Sequence, residues 1–534
     1  MQGQARYSVS SGLEKVEDTS ERTVKVAVIG SGLAGLTAAY LLTKGNTDST
    51  APTTRFETHL FEKGQALGMD ASSISVGDKD KDFRIDLYKH LDIPAKPAKF
   101  SFGWYRIYSE KSTCDIPIDQ IPSHTSNRSY LMYSGSRTVG RLGQPASSSE
   151  TISEYLAAMA NFYWQAIIVS ISYTWLMILA LWLHHRGHLR NPSHPVAQMS
   201  LGTWFQKYRI HPYFVHHVFV PLFAAVCTNS WQSMLEYPAA DVLEYMAVGL
   251  FQESYVVSCG VRQVVKKLAA PLNHIHLGTA IVSIRPTQDN ASYAHRFILF
   301  DEQGKKFEAD HIIFATQGNQ ALRMLQECYD HVDTSQFHHQ QLRQDLERQI
   351  NMLKAFKYDT SVVINHTDTR LLPSNPQDWQ ILNLAAVDAS VQPGKCRLIV
   401  PYPHDTTMTT HILNLTHKTD DQCLYLQTTN PCIAPDPKHV ISVSWFERAT
   451  VTVESRKMIH EYLFVPLKNG AGKTKLGPCQ GSSGIWFVGS YCWKGIPLLE
   501  GCVASAEKVV VEGIAATERV KLKIPWLEDA ELLV

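Results

Sequence analysis

Three glycines, Gly30, Gly32 and Gly35, stand at the spacing that grips a dinucleotide pyrophosphate. The first permits a tight turn, the second lets backbone approach the phosphates, and the third lets a helix pack closely on a strand. The run Val24-Lys25-Val26-Ala27-Val28-Ile29 before them predicts a buried parallel strand, and Leu36 to Thr43 after them predicts a helix. The N-terminus of that helix, with Leu33 and Ala34 between the glycines, offers backbone N–H donors and a positive dipole end to the phosphates. Glu62 closes the next strand, His59-Leu60-Phe61, where a carboxylate accepts from a ribose hydroxyl. It falls 27 residues after Gly35, later than usual, and a polar loop expected at 45–55 absorbs the excess.

The elements that must carry this turn recur at the far end of the chain. Ile485 to Val488 predicts another buried strand, followed by Gly489-Ser490 and a helix from about Pro497 to Ala516. Between the two ends, Gly260 to Ala269 predicts a helix and Ile275 to Ile284 a strand. Phe297 to Phe300 with Lys306 to Ala309 predicts a hairpin, and His311 to Thr316 a buried strand. Residues 123–149 read as irregular, 151–255 as helical and aromatic, and 320–355 as polar helix. Short strands are expected at Ser361 to Ile364, Cys396 to Val400, Thr410 to Leu415 and Val440 to Trp445. The fold class is therefore α/β: a discontinuous Rossmann-like domain (24–95, 256–320 and 481–520) with inserted mixed α+β material. A helical, partly apolar region covers 96–255, a substrate domain 321–480, and tails 1–23 and 521–534.

The C-terminal block narrows the cofactor. Gly489-Ser490-Tyr491-Cys492-Trp493-Lys494-Gly495-Ile496-Pro497-Leu498-Leu499-Glu500-Gly501 resembles the closing FAD motif of the flavin-containing amine oxidase superfamily. Cys259 to Arg262 with His276 to Ile281 resembles the helix and strand that meet the adenine, and Phe314-Ala315-Thr316-Gln317-Gly318 the strand end near the cofactor. His366-Thr367-Asp368-Thr369-Arg370-Leu371-Leu372-Pro373 looks like a signature of one branch, the NAD/FAD-binding oxidoreductases of bacteria and fungi, in a fungal-type form. The resemblance implies an amine-oxidase-like two-domain flavoprotein holding FAD non-covalently. Its cofactor contacts would be Gly30, Gly32, Leu33, Ala34, Gly35, Glu62, Lys63, Gly68, Met69, Ile281, Ala315, Thr316, Gly489, Ser490, Pro497, Leu498 and Leu499.

Two departures from the pattern stand out. Gly68-Met69 replaces the usual Gly-Gly, and Phe83-Arg84-Ile85-Asp86 runs straight into Leu87, where relatives carry a further stretch that reaches the flavin. Cys479 and Cys492 do not match the position of a flavin-bearing cysteine in the family. For catalysis the candidate is Lys494, placed to approach a flavin; a helix-entry lysine is the plainer reading. His366 reads either as a base or as a satisfied strand histidine, and Tyr491 and Trp493 either as pocket walls or as core.

Composition limits the rest. Lys+Arg and Asp+Glu balance at 50 each in 534 residues, so there is no basic footprint for nucleic acid. Ten cysteines without a Cys-x-x-Cys, and His184 and His188 without a nearby acid, give no metal expectation. The first 23 residues lack the apolar run of a signal peptide, which predicts an intracellular protein, cytoplasmic or peripherally membrane-associated. Tyr163 to Leu183 is uncharged and long enough to cross a bilayer. A single crossing would part Gly30 from Gly489, so a buried helix, or a membrane-dipping element together with 213–227, is expected. The functional expectation is an FAD-dependent oxidoreductase that desaturates or isomerises a small lipophilic substrate such as an acyl chain. The alternatives are an amine oxidase releasing hydrogen peroxide, and a flavin-binding protein without turnover because of the gap after Asp86.

Overall fold

The computed structural model describes residues 22–48, 54–68, 83–98, 100–107, 129–134, 139–142, 152–249, 254–258, 260–287, 296–332, 337–387, 406–417, 423–467 and 474–527. Its centre is a five-stranded parallel sheet in the order Ile485–Phe487, His311–Phe314, Arg22–Ile29, Thr54–Phe61, His274–His276. The first strand is central and covered on both faces, which is why its sequence is a near-continuous apolar run rather than an alternation. The helix Leu33–Asp48 lies on one face, packed against the late helix Leu499–Lys508. A three-stranded antiparallel sheet, Ile281–Pro286, Phe297–Asp301 and Lys306–Ala309, covers the other. Lys25 ties the two sheets: its N–H donates to Asp310 at 2.8 Å and its ammonium pairs with Glu308 at 3.1 Å.

The second layer is an eight-stranded sheet in the order 440–450, 357–366, 426–429, 408–412, 382–387, 101–107, 129–134, 139–142. Only 382–387 and 101–107 pair in parallel; the other neighbours are antiparallel. Three strands of this sheet thus come from the stretch before the helical region. Their apolar signal is short, and 129–142 alternates with Ser, Gly and Arg, so the sequence read it as irregular. The helices of 152–249 form a core of their own around Trp204, Phe214, Phe219 and Leu183, seated on Trp104, Leu131 and Leu384 of the sheet. The Trp104 indole N–H donates to the Val218 carbonyl at 3.1 Å, and the Tyr130 hydroxyl to the His217 carbonyl at 2.6 Å.

Several expected boundaries move, for tertiary reasons. The helix after the glycine turn does not give way to loop at residue 45; it runs to Asp48. Gly45 is no stop signal there, since a Cβ on it would stand 1.9 Å from a Leu522 methyl: the glycine makes room for a neighbour. The strand expected at 275–284 is two strands in different sheets, parted at Gly278, whose φ is +61° and whose N–H bonds the Gly64 carbonyl at 2.8 Å. The strand expected at 410–415 ends at Ile412, and Leu413–His417 is helical, with Asn414 bridging Cys423 and Tyr425. The strand expected at Cys396 to Val400 lies outside the described residues.

One buried ion pair joins the helical region to the sheet layer. Arg456 donates from Nε to Asp241 at 2.7 Å, with both side chains at most 7% exposed, and its other nitrogens reach the Ala197 and Leu189 carbonyls. Removing one partner strands a charge in a low-dielectric interior. We expect Asp241→Ala to lower unfolding free energy by about 3–5 kcal/mol in a urea titration, whereas exposed pairs such as Lys457–Glu461 should contribute less than about 1 kcal/mol.

Candidate cofactor site

Parallel strands end together, and their C-terminal ends frame the crevice where such sheets bind ligands. In register, Phe487, Phe314, Ile29, Phe61 and His276 form one row. Just beyond that row the ladder continues by single bonds. Val488 N–H donates to Phe314 O at 3.0 Å, Ala315 N–H to Ile29 O at 2.9 Å, Gly30 N–H to Phe61 O at 2.9 Å, and Glu62 N–H to His276 O at 2.9 Å. Gly30, Glu62, Ala315 and Gly489 are thereby brought side by side from four distant stretches of sequence.

The three glycines of the turn have three different reasons. Gly30 has φ +105°, and a Cβ on it would meet the Ala315 carbonyl oxygen at 2.8 Å. A Cβ on Gly35 would stand 2.0 Å from the Gly30 oxygen, so strand and helix could not close on each other. A Cβ on Gly32 meets nothing within 4 Å. Protein packing does not explain Gly32; an open cradle at the start of a 16-residue helix does, because a bound phosphate needs bare backbone there. No acidic side chain stands in the first turn of that helix to compete for its donors.

Glu62 has the environment of a positioned acceptor. Its carboxylate accepts from the Ser31 N–H at 3.1 Å, from the Ser31 hydroxyl, and from the Gly64 N–H at 2.8 Å. A carboxylate has room for about four such bonds, which leaves one for a ribose hydroxyl. Ser31, buried between the first two glycines, also accepts from the Gly68 N–H at 2.9 Å, so one hydroxyl links the turn, the acid and the loop at 62–68. In the sequence Ser31 stands at a variable position of the motif. Its small polar side chain between two glycines was the available signal. Met69 lies outside the described residues.

At the other end, Gly489 has φ +142° and its N–H donates to the Ser505 hydroxyl at 3.0 Å. Ser505 is buried in the middle of the last helix, and nothing in its local sequence marks it. A Cβ on Gly501 would come within 3.0 Å of Trp493, which is how the turn at 489–493 and the helix start draw together. Ser490, Pro497, Leu498 and Leu499 are half-buried; Leu498 packs on the helical core and Leu499 on the sheet core. This segment therefore lies on the seam between the two cores. Across the same seam the Gln317 amide donates to Glu447 O at 3.2 Å and the Asn319 amide to the Glu447 carboxylate at 2.6 Å. Leu33 and Ala34 are buried in the sheet core, Ala315 and Thr316 are half-buried, and Ile281 is buried at the head of its strand, two residues past Thr279, whose N–H bonds Glu62 O.

The other candidates have these surroundings. Tyr491 is 2% exposed and sits edge-on to Phe356, while Trp493 packs edge-on to Phe464. Cys479 and Cys492 are buried thiols; burial raises the first to about 12 and the second well above its ordinary value. Lys63 and Lys494 are exposed. His366 is the satisfied strand histidine: Nε2 meets the Thr428 hydroxyl at 2.7 Å and Nδ1 accepts from the Asp368 N–H at 3.1 Å. Its neighbours Asp368 and Arg370 form a bidentate pair that closes a turn, so the segment 366–373 is a structural clasp in the second sheet. Burial lowers the His366 pKa to about 4, against the pull of Asp368. Between about pH 6.5 and 4 the unfolded chain binds this proton and the folded chain does not, so stability falls as pH drops through that window. Denaturation midpoints should register a loss on the order of 2–3 kcal/mol, and His366→Asn should flatten that limb.

Comparison with known proteins agrees with this geometry. Residues 28–92 match the NAD(P)-binding Rossmann-like domain family. No curated protein sequence matches the chain. A cofactor-binding redesign of putrescine oxidase superposes with a TM-score of 0.50 at 12% identity, covering 92% of this chain and 100% of that one. An oxidoreductase from Methanosarcina mazei does so with a TM-score of 0.50 at 13% identity, covering 91% and 99%. At such identities the likeness is one of fold. The chain has an α/β, Rossmann-containing fold of the two-domain amine-oxidase type, the one that its terminal motifs imply.

Proposed function

We propose that this protein is an FAD-dependent oxidoreductase acting on a lipophilic substrate such as an acyl chain. The observation that carries the cofactor reading is Gly32: a glycine without a packing reason, in a turn whose other two glycines have one, beside a carboxylate with one acceptor site to spare. The turn at 30–35 would hold the pyrophosphate, Glu62 the ribose, and the segment 489–499 the flavin end. FAD, when bound, supplies the hydride acceptor. The chain's share is to orient the substrate carbon and exclude water at the seam between the two cores. Attachment would be non-covalent, since Cys479 and Cys492 are both buried among side chains of the sheet core.

The lipophilic substrate reading rests on the helix Ile152–His185. Leu176, Ala180 and Leu183 face the helical core. Trp164, Ile167, Ile171, Trp175, Ile178 and Trp182 recur at steps of three and four on another face, each at least 44% exposed. An outward apolar stripe of this length marks an interaction surface. A bilayer surface fits it best. The helix is about 51 Å long, yet the strand at 139–142 and the core-packed end at 176–183 belong to one body. A single crossing would part the Gly30 turn from Ala315 and Gly489, which strand pairing holds side by side. The helix would instead lie along the interface, its Trp residues at head-group depth, with Arg186, Lys207 and Arg209 exposed at its end. Entry from lipid would deliver an acyl chain. An amine substrate is the second reading, favoured by the fold shared with putrescine oxidase.

Four measurements test this. The purified protein should show a flavin spectrum; a colourless protein that takes up no added FAD overturns the proposal. Diene formation from fatty acids against peroxide release from an amine panel separates the substrates, and bound flavin inert to both identifies a binder without turnover. Gly32→Ala should keep the wild-type melting temperature and weaken FAD binding at least tenfold, whereas Gly35→Ala should lose stability as well. Ile171→Lys with Ile178→Lys should abolish flotation with anionic vesicles while leaving the flavin spectrum unchanged.

A further inference from the structure

The strand Thr54–Phe61 carries Glu57, His59 and Phe61 on one face, and the edge strand His274–His276 places His274 opposite His59 and His276 opposite Phe61. Four metal-type donors therefore share one patch. His59 Nε2 lies 2.7 Å from Glu57 Oε1, and His59 Nδ1 lies 3.0 Å from His276 Nε2. The ring of His59 stacks on His274 at 4.5 Å and on His276 at 5.3 Å. One donor atom from each of Glu57, His59 and His274 falls within 4.8 Å of the other two, and the patch opens to solvent at His274.

We propose that Glu57, His59 and His274 bind a divalent transition ion of the zinc class, with His276 as the positioning residue behind His59. Two imidazoles and a carboxylate suit Zn2+, Co2+ or Ni2+, and do not suit Mg2+ or Ca2+, which take oxygen shells. Bonds of about 2.0–2.2 Å to a tetrahedral ion separate two ligand atoms by roughly 3.3 Å. The Glu57–His59 contact would therefore open by several tenths of an ångström, and His274 would swing inward, which its exposed position allows. With Nε2 on the ion, the His59 Nδ1–H donates to His276, the arrangement that fixes ring and tautomer in metal sites. Among the described residues the three-residue edge strand pairs only with Thr54–Phe61, and its His276 carbonyl receives the Glu62 N–H. The ion would clip that strand in place beneath the acid of the cofactor turn. The site does not depend on the flavin assignment.

The test uses the full chain stripped with EDTA. Calorimetric titration with Zn2+ should show one tight equivalent, and Co2+ should give the visible absorption of a low-coordinate site. His274→Ala should weaken the first equivalent at least tenfold, and His276→Ala by roughly 10–100-fold. Saturating Zn2+ should raise the melting temperature of the wild type, and that of His274→Ala by clearly less. Should His274→Ala fail to match the apo wild type in melting temperature, Glu57→Gln serves in its place. Absence of a stoichiometric equivalent overturns the proposal. So does an equivalent unchanged in both ligand variants, which would assign the ion to others of the 23 histidines.

Discussion

Gly30 and Ala315 approach so closely that no side chain fits between them, and the molecule is arranged around that contact. It sets the first strand against His311–Phe314, in a register that puts Ile29 beside Phe314 and Phe314 beside Phe487. Once that row is fixed, the turn after Ile29, the acid after Phe61 and the turn after Val488 must open at one edge of the sheet. The strands come from residues 22 to 487, so the site forms only when the whole chain has folded. Its polar wiring is economical: one serine hydroxyl joins Gly68 to Glu62, and another anchors Gly489.

Polar links, buried or half-buried, join this centre to the second sheet and the second-sheet layer to the helical region. Glu447 takes bonds from Gln317 and Asn319 across the seam, and Arg456 reaches back to Asp241 and two helix-region carbonyls. Asn229 donates to Asp359 and Thr450 and accepts from the Tyr237 hydroxyl. Links of this kind contribute orientation more than stability, since each buried charge or amide must first lose its water. That suits a seam whose two faces must stay at fixed separation.

The long helix obeys a different constraint. Its core-facing residues are ordinary helix packing, but its outward face carries a stripe of large apolar residues. Such a stripe is the pattern of a surface that meets a partner rather than water. At smaller scale, three imidazoles and a carboxylate are gathered on the edge of the parallel sheet, where the rings of His59 and His276 also stack on Phe61.

How much of this was legible in the residues varies by element. The glycine turn, the acid after the second strand and the closing Gly489 segment could be read because backbone chemistry at a phosphate demands particular residues at particular spacings. The buried strands could be read because burial on both faces leaves an apolar run. The strands at 129–134 and 139–142 could not, since Ser, Gly and Arg interrupt their short apolar signal. Gly45 misled because the same residue serves as a helix stop and as a space for Leu522. Local sequence determined which pieces this protein contains and what one of its turns can hold. Tertiary structure alone decided that Ser31 and Ser505 wire the site, that His366 is spent on packing, that the long helix turns its apolar face outward, and that His59 meets His274. Each of those depends on neighbours far away in the chain, and only strand register and helix rotation bring them into contact.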